Sequence, residues 1–406
     1  MAGNTARKTD PDGVRNIDDL YEPTTDEIAR QRFVSALRKH VLVDKASQMK
    51  ESFETTVAPE MRKSSKNFPA DGVEVRNAML TNNAFRVFSA LRVNAQQMTW
   101  ASVMDGVERA LPQMTDLARE MALQNPAGGS VKTDHRFHVP EYVSDIDQHH
   151  VPGSFSAEFG EDDVAIGAIC AFGTKVFSGA LPHRKDNPGT VAQTVANYLK
   201  LAHPQFKPRR VLDIGTGTGK NLAPYLDVYP DIECYGIDVA GPGLRYGHAQ
   251  FEARGKPLFL SQQNAQETDF PDGFFDLIVS SFFFHEIPVA VTKQILKENY
   301  RLLAPGGRLA HMELPPNCEV DPYYAFYLDW DGYYNGEPDY TDYRSQVPRQ
   351  LCAAAGFPEE SCWHKFIPNW STCTPDQFEQ FVKGEVPAPE HGNGASWFIF
   401  GAQKPA

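Results

Sequence analysis

Residues 210–220 read Arg-Val-Leu-Asp-Ile-Gly-Thr-Gly-Thr-Gly-Lys. Val211 to Ile214 form a short apolar run of the kind that becomes a buried parallel strand. Gly215, Gly217 and Gly219 follow, and glycines there let the backbone approach a ligand and take positive φ. The carboxylate of Asp213 sits near the strand's end. A strand, a glycine loop and a helix make a nucleotide site at the carboxyl edge of an open sheet. Two common nucleotide patterns fail on spacing. The dinucleotide fingerprint needs a glycine where Lys220 stands, and the phosphate loop needs a glycine at Ile214 and Ser or Thr at Asn221.

The pattern acid-x-Gly-x-Gly-x-Gly that remains resembles motif I of the class I S-adenosylmethionine-dependent methyltransferases. The chain from Val211 to about Pro405 continues the resemblance. Glu233–Asp238 reads as a second strand, with Asp238 placed 19 residues after Gly219, near the spacing of a ribose-binding acid. Leu258–Leu260 reads as a third strand before Gln263-Asn264-Ala265. Gly273–Phe282 reads as a fourth. A helix over 291–303 leads into Leu303-Ala-Pro-Gly-Gly-Arg-Leu309, and Cys362–Ile367 and Ser396–Gly401 read as the last two strands. The resemblance is to small-molecule members with a UbiE-like core. It implies an α/β, Rossmann-like seven-stranded sheet whose last strand is antiparallel, joined here to an N-terminal helical domain. It implies S-adenosyl-L-methionine as cofactor, held by Asp213, Gly215, Thr216, Gly217, Gly219, Asp238, Val239, Asn264, Ala265 and Ser280. Asp238 would take the ribose hydroxyls, and Asn264 and Ala265 would lie along the adenine edge.

Composition narrows the partners. The 406 residues carry 39 Lys and Arg against 52 Asp and Glu, a net charge of −13. Nucleic-acid binding relies on cations neutralising phosphates, and the basic clusters here (Arg7-Lys8, Arg62-Lys63 with Lys66, Lys207 with Arg209-Arg210) are small. The DNA amino-methylating tetrad is absent after the fourth strand, where the chain reads Ser280-Ser281-Phe282-Phe283. The expected partner is a small-molecule acceptor, not nucleic acid. Six cysteines with no Cys-x-x-Cys pair suit a reducing compartment. Met1–Asp10 lacks an apolar signal core, and no window approaches a membrane span. A cytoplasmic protein is expected.

Three regions precede or interrupt the core. Residues 1–130 read as a helical lid or dimerisation lobe, so a homodimer through these helices is an option. Thr24 and Glu27 have capping-box spacing. Phe33, Leu37 and Val41 form one helical stripe and Phe85, Phe88 and Leu91 a second. A third helix or pair covers 96–123, with Pro112 as a break or a new first turn. Residues 131–190 read as a linker and substrate-facing segment, and 191–406 as the core with an aromatic insertion at 314–345. The linker holds His135, His138, His149, His150 and His183, whose spacing matches no zinc pattern, so no metal is expected. The stretch 142–155 resembles pre-core segments that fold over the cofactor.

Methyl transfer from a sulfonium is an in-line displacement, so the protein mainly positions the acceptor and excludes water. An O–H or N–H acceptor also loses a proton. His285 and Glu286, just past the fourth strand, are the leading candidates for a base, with His149 and His150 as alternatives. A structural role for these histidines is the competing reading. Seven aromatic rings crowd 323–334. Tyr323, Tyr327, Trp330 and Tyr334 are candidates for an acceptor pocket, or else they pack on the N-terminal helices. The expected activity is methylation of a small aromatic or apolar metabolite, at oxygen in the first instance. The alternative is a non-methylating enzyme or a binding protein on the same fold.

Overall fold

The computed structural model describes residues 15–64, 69, 71–179, 190–392 and 394–406. Met1–Asp10, Lys66 and His183 lie outside them. The strands are β1 (Ser130–Lys132), β2 (Arg210–Ile214), β3 (Glu233–Asp238), β4 (Phe259–Gln262), β5 (Phe275–Ser281), β6 (Leu303–Glu313), β7 (Trp363–Pro368) and β8 (Ser396–Gln403). They form one sheet in the order β1-β4-β3-β2-β5-β6-β8-β7. Strands β1 to β6 are parallel, and β8 runs antiparallel to both β6 and β7. Alternation along β2 feeds both faces of the sheet. Val211 joins one apolar cluster, and Leu212 and Ile214 join the other.

The sheet has eight strands rather than the expected seven. The extra one, β1, comes from the linker and pairs Ser130–Lys132 with Phe259–Ser261. Its approach is fixed by Glu252, whose carboxylate accepts N–H groups from Ala127 at 2.6 Å and Gly129 at 2.8 Å. From β2 the chain builds outward to β3 and β4, then returns to the other side of β2 for β5. That reversal opens a crevice at the carboxyl ends of the strands.

The main helices are α1 (Thr25–Lys39), α2 (Asn83–Gln124), α3 (Ala165–Ser178), α4 (Gly241–Glu252), α5 (Val289–Leu302) and α6 (Pro322–Tyr334). Helix α1 starts at the capping box of Thr24 and Glu27, with both reciprocal bonds made. Its buried face is centred on Val34 and Arg38, while Phe33 is 57% exposed. Of the expected stripe, Val41 is buried and Leu37 packs against the same cluster, so Phe33 alone leaves it. The predicted break at Pro112 is absent. Helix α2 runs 42 residues through it, roughly 63 Å at 1.5 Å per residue. Pro112 forfeits one N–H bond, but buried Val103, Val107, Ala110, Met114, Leu117 and Met121 carry the packed face past it on both sides. Among the described residues, no helix is long and apolar enough to cross a membrane.

Candidate functional site

The crevice beside β2 holds a cavity of ≈ 390 Å³, within the range of about 300–1,000 Å³ common for small-molecule sites. The glycine loop forms one wall. Gly215 has φ +65°, and a Cβ there would stand 2.2 Å from the Phe283 ring, so only glycine fits. Asp238, at the end of β3, accepts N–H groups from Gly217 (2.8 Å) and Ala240 (2.9 Å). Burial raises its carboxyl pKa, and those N–H bonds oppose the rise. Val239, Asn264 and Ala265 continue the wall, and Tyr142, Gln148 and Phe155 cover it from the linker.

Four of the expected cofactor residues stand behind this surface. Asp213 is buried and accepts a 2.8 Å bond from the Thr216 hydroxyl. Burial pushes its carboxyl up to about 7. Ser280 lies 2.8 Å from His311 Nδ1, and burial lowers that imidazole to about 3. A Cβ on Gly219 would meet the Leu258 side chain. None of Asp213, Thr216, Gly219 or Ser280 lines the cavity. Side chains at the inner turns of the loop and strand point into the sheet packing, where they shape the loop instead of touching a ligand.

A cluster of acids and imidazoles abuts the cavity's other side. Glu286 lines the wall, and its Oε1 lies 2.7 Å from His149 Nε2. His149 Nδ1 stands 3.3 Å from Glu337 Oε1. His285 Nδ1 is 2.7 Å from Glu313 Oε2, and its Nε2 lies 3.6 Å from Glu337 and 3.8 Å from Glu286. Burial works against charge on His285, but Glu313, Glu337 and Glu286 outweigh it and lift the imidazolium to about 9. The same balance raises His149, with Glu337 and Glu286 beside it. Burial raises Glu337. Glu286 is lowered despite its burial, because His149 and His285 favour its ionised form.

The cluster is positioned by three distant segments. Glu313 Oε1 accepts the N–H groups of Phe283 and Phe284 at 2.8 and 2.6 Å, so it anchors the turn that presents His285 and Glu286. Phe282 begins that turn with φ +57°, an unusual conformation for a bulky residue and one concentrated at functional sites. His149 also has positive φ, +52°. Its carbonyl accepts Trp100 Nε1 at 2.7 Å and Gln96 Nε2 at 3.1 Å, so helix α2 of the lobe holds it in place. Gln148 Nε2 donates to the Glu286 carbonyl at 2.6 Å.

Of the four expected base candidates, Glu286 alone lines the cavity. His285 and His149 stand behind it, and His150 is drawn away to the Tyr334 carbonyl at 3.0 Å. The expected acceptor pocket is placed elsewhere. Tyr323, Tyr327, Trp330 and Tyr334 pack with Phe53, Phe85, Phe88 and Met79 of the lobe. Helix α6 turns these rings toward the lobe's apolar face, and Arg92 pins it there through Asp331 at 2.6 Å. Tyr323 and Tyr327 line a second cavity of ≈ 680 Å³. Glu313 and Glu337 were not singled out from the sequence. Glu313 closes an apolar strand just before Leu314-Pro315, and that is its one local signal. Among the described residues no group of acids, histidines and cysteines has the arrangement of a metal site.

Residues 211–307 match the family model described as a methyltransferase domain. This stretch is a class I methyltransferase domain. The chain is 39% identical over 109 residues to a demethylmenaquinone methyltransferase of Thermus thermophilus, a match covering 27% of this chain and 49% of that protein. It is 33% identical over 128 residues to the ubiquinone/menaquinone biosynthesis C-methyltransferase UbiE of Vibrio campbellii, covering 30% and 49%. The chain thus spans about half the length of the curated relatives it matches. A solved phosphoethanolamine N-methyltransferase 2 of Haemonchus contortus with S-adenosyl-L-methionine covers 54% of each chain at 18% identity and a TM-score of 0.35. The methyltransferase fold is read from the strand order above and not from that overlap.

Proposed function

We propose that this chain is an S-adenosylmethionine-dependent methyltransferase acting on a small aromatic or apolar metabolite, at an oxygen. One observation carries the reading. A single cavity joins the glycine loop, the acid of β3 and the Asn264-Ala265 turn, three features that suit the tail, ribose and adenine of the donor. Asp238 takes the ribose hydroxyls, Val239, Asn264 and Ala265 flank the base, and Gly215 and Gly217 give backbone access. The donor, when bound, supplies an electrophilic methyl group. The chain's own residues position an acceptor, exclude water through the linker cover, and offer Glu286 as the carboxylate that meets it. His149, oriented by Trp100 and Gln96, holds Glu286 from behind. The similarity to the demethylmenaquinone and ubiquinone/menaquinone methyltransferases supports methyl transfer. It covers about 30% of this chain and about half of those proteins, so the acceptor is not taken from it.

The test is calorimetric binding of S-adenosylmethionine, followed by S-adenosylhomocysteine release on a panel of phenols, quinols, amines and thiols. Binding with turnover on phenols is the expected result. Binding with no turnover across the panel favours the non-methylating use of the fold, and absence of binding overturns the donor assignment.

A further inference from the structure

Asp238 and Glu286 face one space. Both line the same cavity, and Glu286 sits close enough for its charge to act on Asp238. Burial is the main reason that Asp238 is raised, and Glu286 adds to it. Burial likewise pushes up the Cys170 thiol on the facing helix α3, with Asp238 and Glu286 adding to that rise. In the donor, the sulfonium is bonded to the ribose through a single methylene. Whatever pins the ribose therefore pins the positive sulfur within a few ångströms of it.

Resting on the donor reading above, we propose that Glu286 is the counter-charge for the donor's sulfonium, so that the site tells the charged donor from its neutral, demethylated product. His149 lies 2.7 Å from one Glu286 oxygen, and Gln148 holds the Glu286 carbonyl at 2.6 Å. The carboxylate is thus fixed at the wall and is not free to swing into solvent. The surrounding charges agree with this role. His149 from the linker and His285 from the same turn keep Glu286 ionised, while Glu337 behind them and Asp238 and Cys170 across the cavity face it. Two opposite charges brought together away from bulk water attract strongly, while a neutral thioether at the same point gains nothing from the carboxylate. Methyl transfer removes the sulfonium charge, so the product loses a partner that the donor had. Product release is built into the same residue that recruits the donor.

Calorimetry on the full chain tests this with S-adenosylmethionine and S-adenosylhomocysteine as the two probes. The wild-type protein is expected to bind the sulfonium more tightly. Glu286→Gln is expected to shrink that preference by on the order of tenfold, through the sulfonium alone, leaving S-adenosylhomocysteine affinity within about twofold. A wild-type protein that binds the neutral product as tightly as the donor overturns the proposal with no variant needed. An unchanged ratio in Glu286→Gln overturns it as well. If neither probe binds the wild-type chain, it is the donor reading that fails.

Discussion

The two walls of the cavity are built in opposite ways. The glycine-loop wall comes from contiguous backbone: residues 213–219 turn on themselves, and Asp238 ties the turn by accepting the Gly217 N–H. The acid–imidazole wall is assembled from side chains at 149, 285–286, 313 and 337, brought together across the linker, two strand ends and the segment after α6. The first wall follows from the local sequence. The second follows from the fold, and its charges depend on one another.

The comparison breaks most readily at Glu313. It holds His285 and two backbone N–H groups, so Glu313→Gln takes the nearest of three carboxylates from a buried imidazolium and leaves only the longer contacts to Glu337 and Glu286. We expect a loss of about 3–5 kcal/mol in urea unfolding, with the His285 ring, followed by NMR, titrating well below the value of about 9 it has in the wild type. The sign follows from the raised pKa. The stability that His285 contributes is fully present below its unfolded value of about 6.5 and is lost as pH rises through about 9. A denaturation midpoint that does not fall across that window contradicts the ion-pair account. A smaller effect is expected on the backbone wall. Asp238→Ala removes the ribose partner and should weaken donor binding by about 1–3 kcal/mol, while stability changes less than for Glu313→Gln. Equal donor affinity by calorimetry removes Asp238 from the site. The smallest effect on the donor is expected from Trp330→Ala. This ring packs on Phe85 of the lobe, so donor affinity should stay within about twofold, roughly 0.4 kcal/mol, even as the melting temperature drops. A large affinity loss here would mean that the two cavities are coupled.

The sequence made the parallel core readable because each of its parts is local. A short strand with apolar Val211, Leu212 and Ile214, a glycine whose φ is positive, and an acid at a strand end each declare themselves within ten residues. Strand β1 escaped because three residues, Ser130–Lys132, carry no period. The long helix was split at Pro112 because propensity weighs against an interior proline, and the packed face that overrides it is tertiary. Glu337 escaped for a different reason. It follows an aromatic helix whose rings serve the lobe, and only the fold brings it, just past that helix, beside His149 and His285. Linear spacing offers no sign that residue 149 will meet residue 286.

The short strand β1 has a mechanical consequence. It stitches the end of the helical lobe into the edge of the sheet, with Glu252 gripping the chain on the approach. At the lobe's other flank, Arg92 is clamped to Asp331. These contacts tie the lobe to the core at both flanks. Between those two anchors the turn at 147–154 packs against the crevice, and its three non-glycine residues of positive φ, His149, His150 and Ser154, mark it as the most strained backbone in the linker's cover.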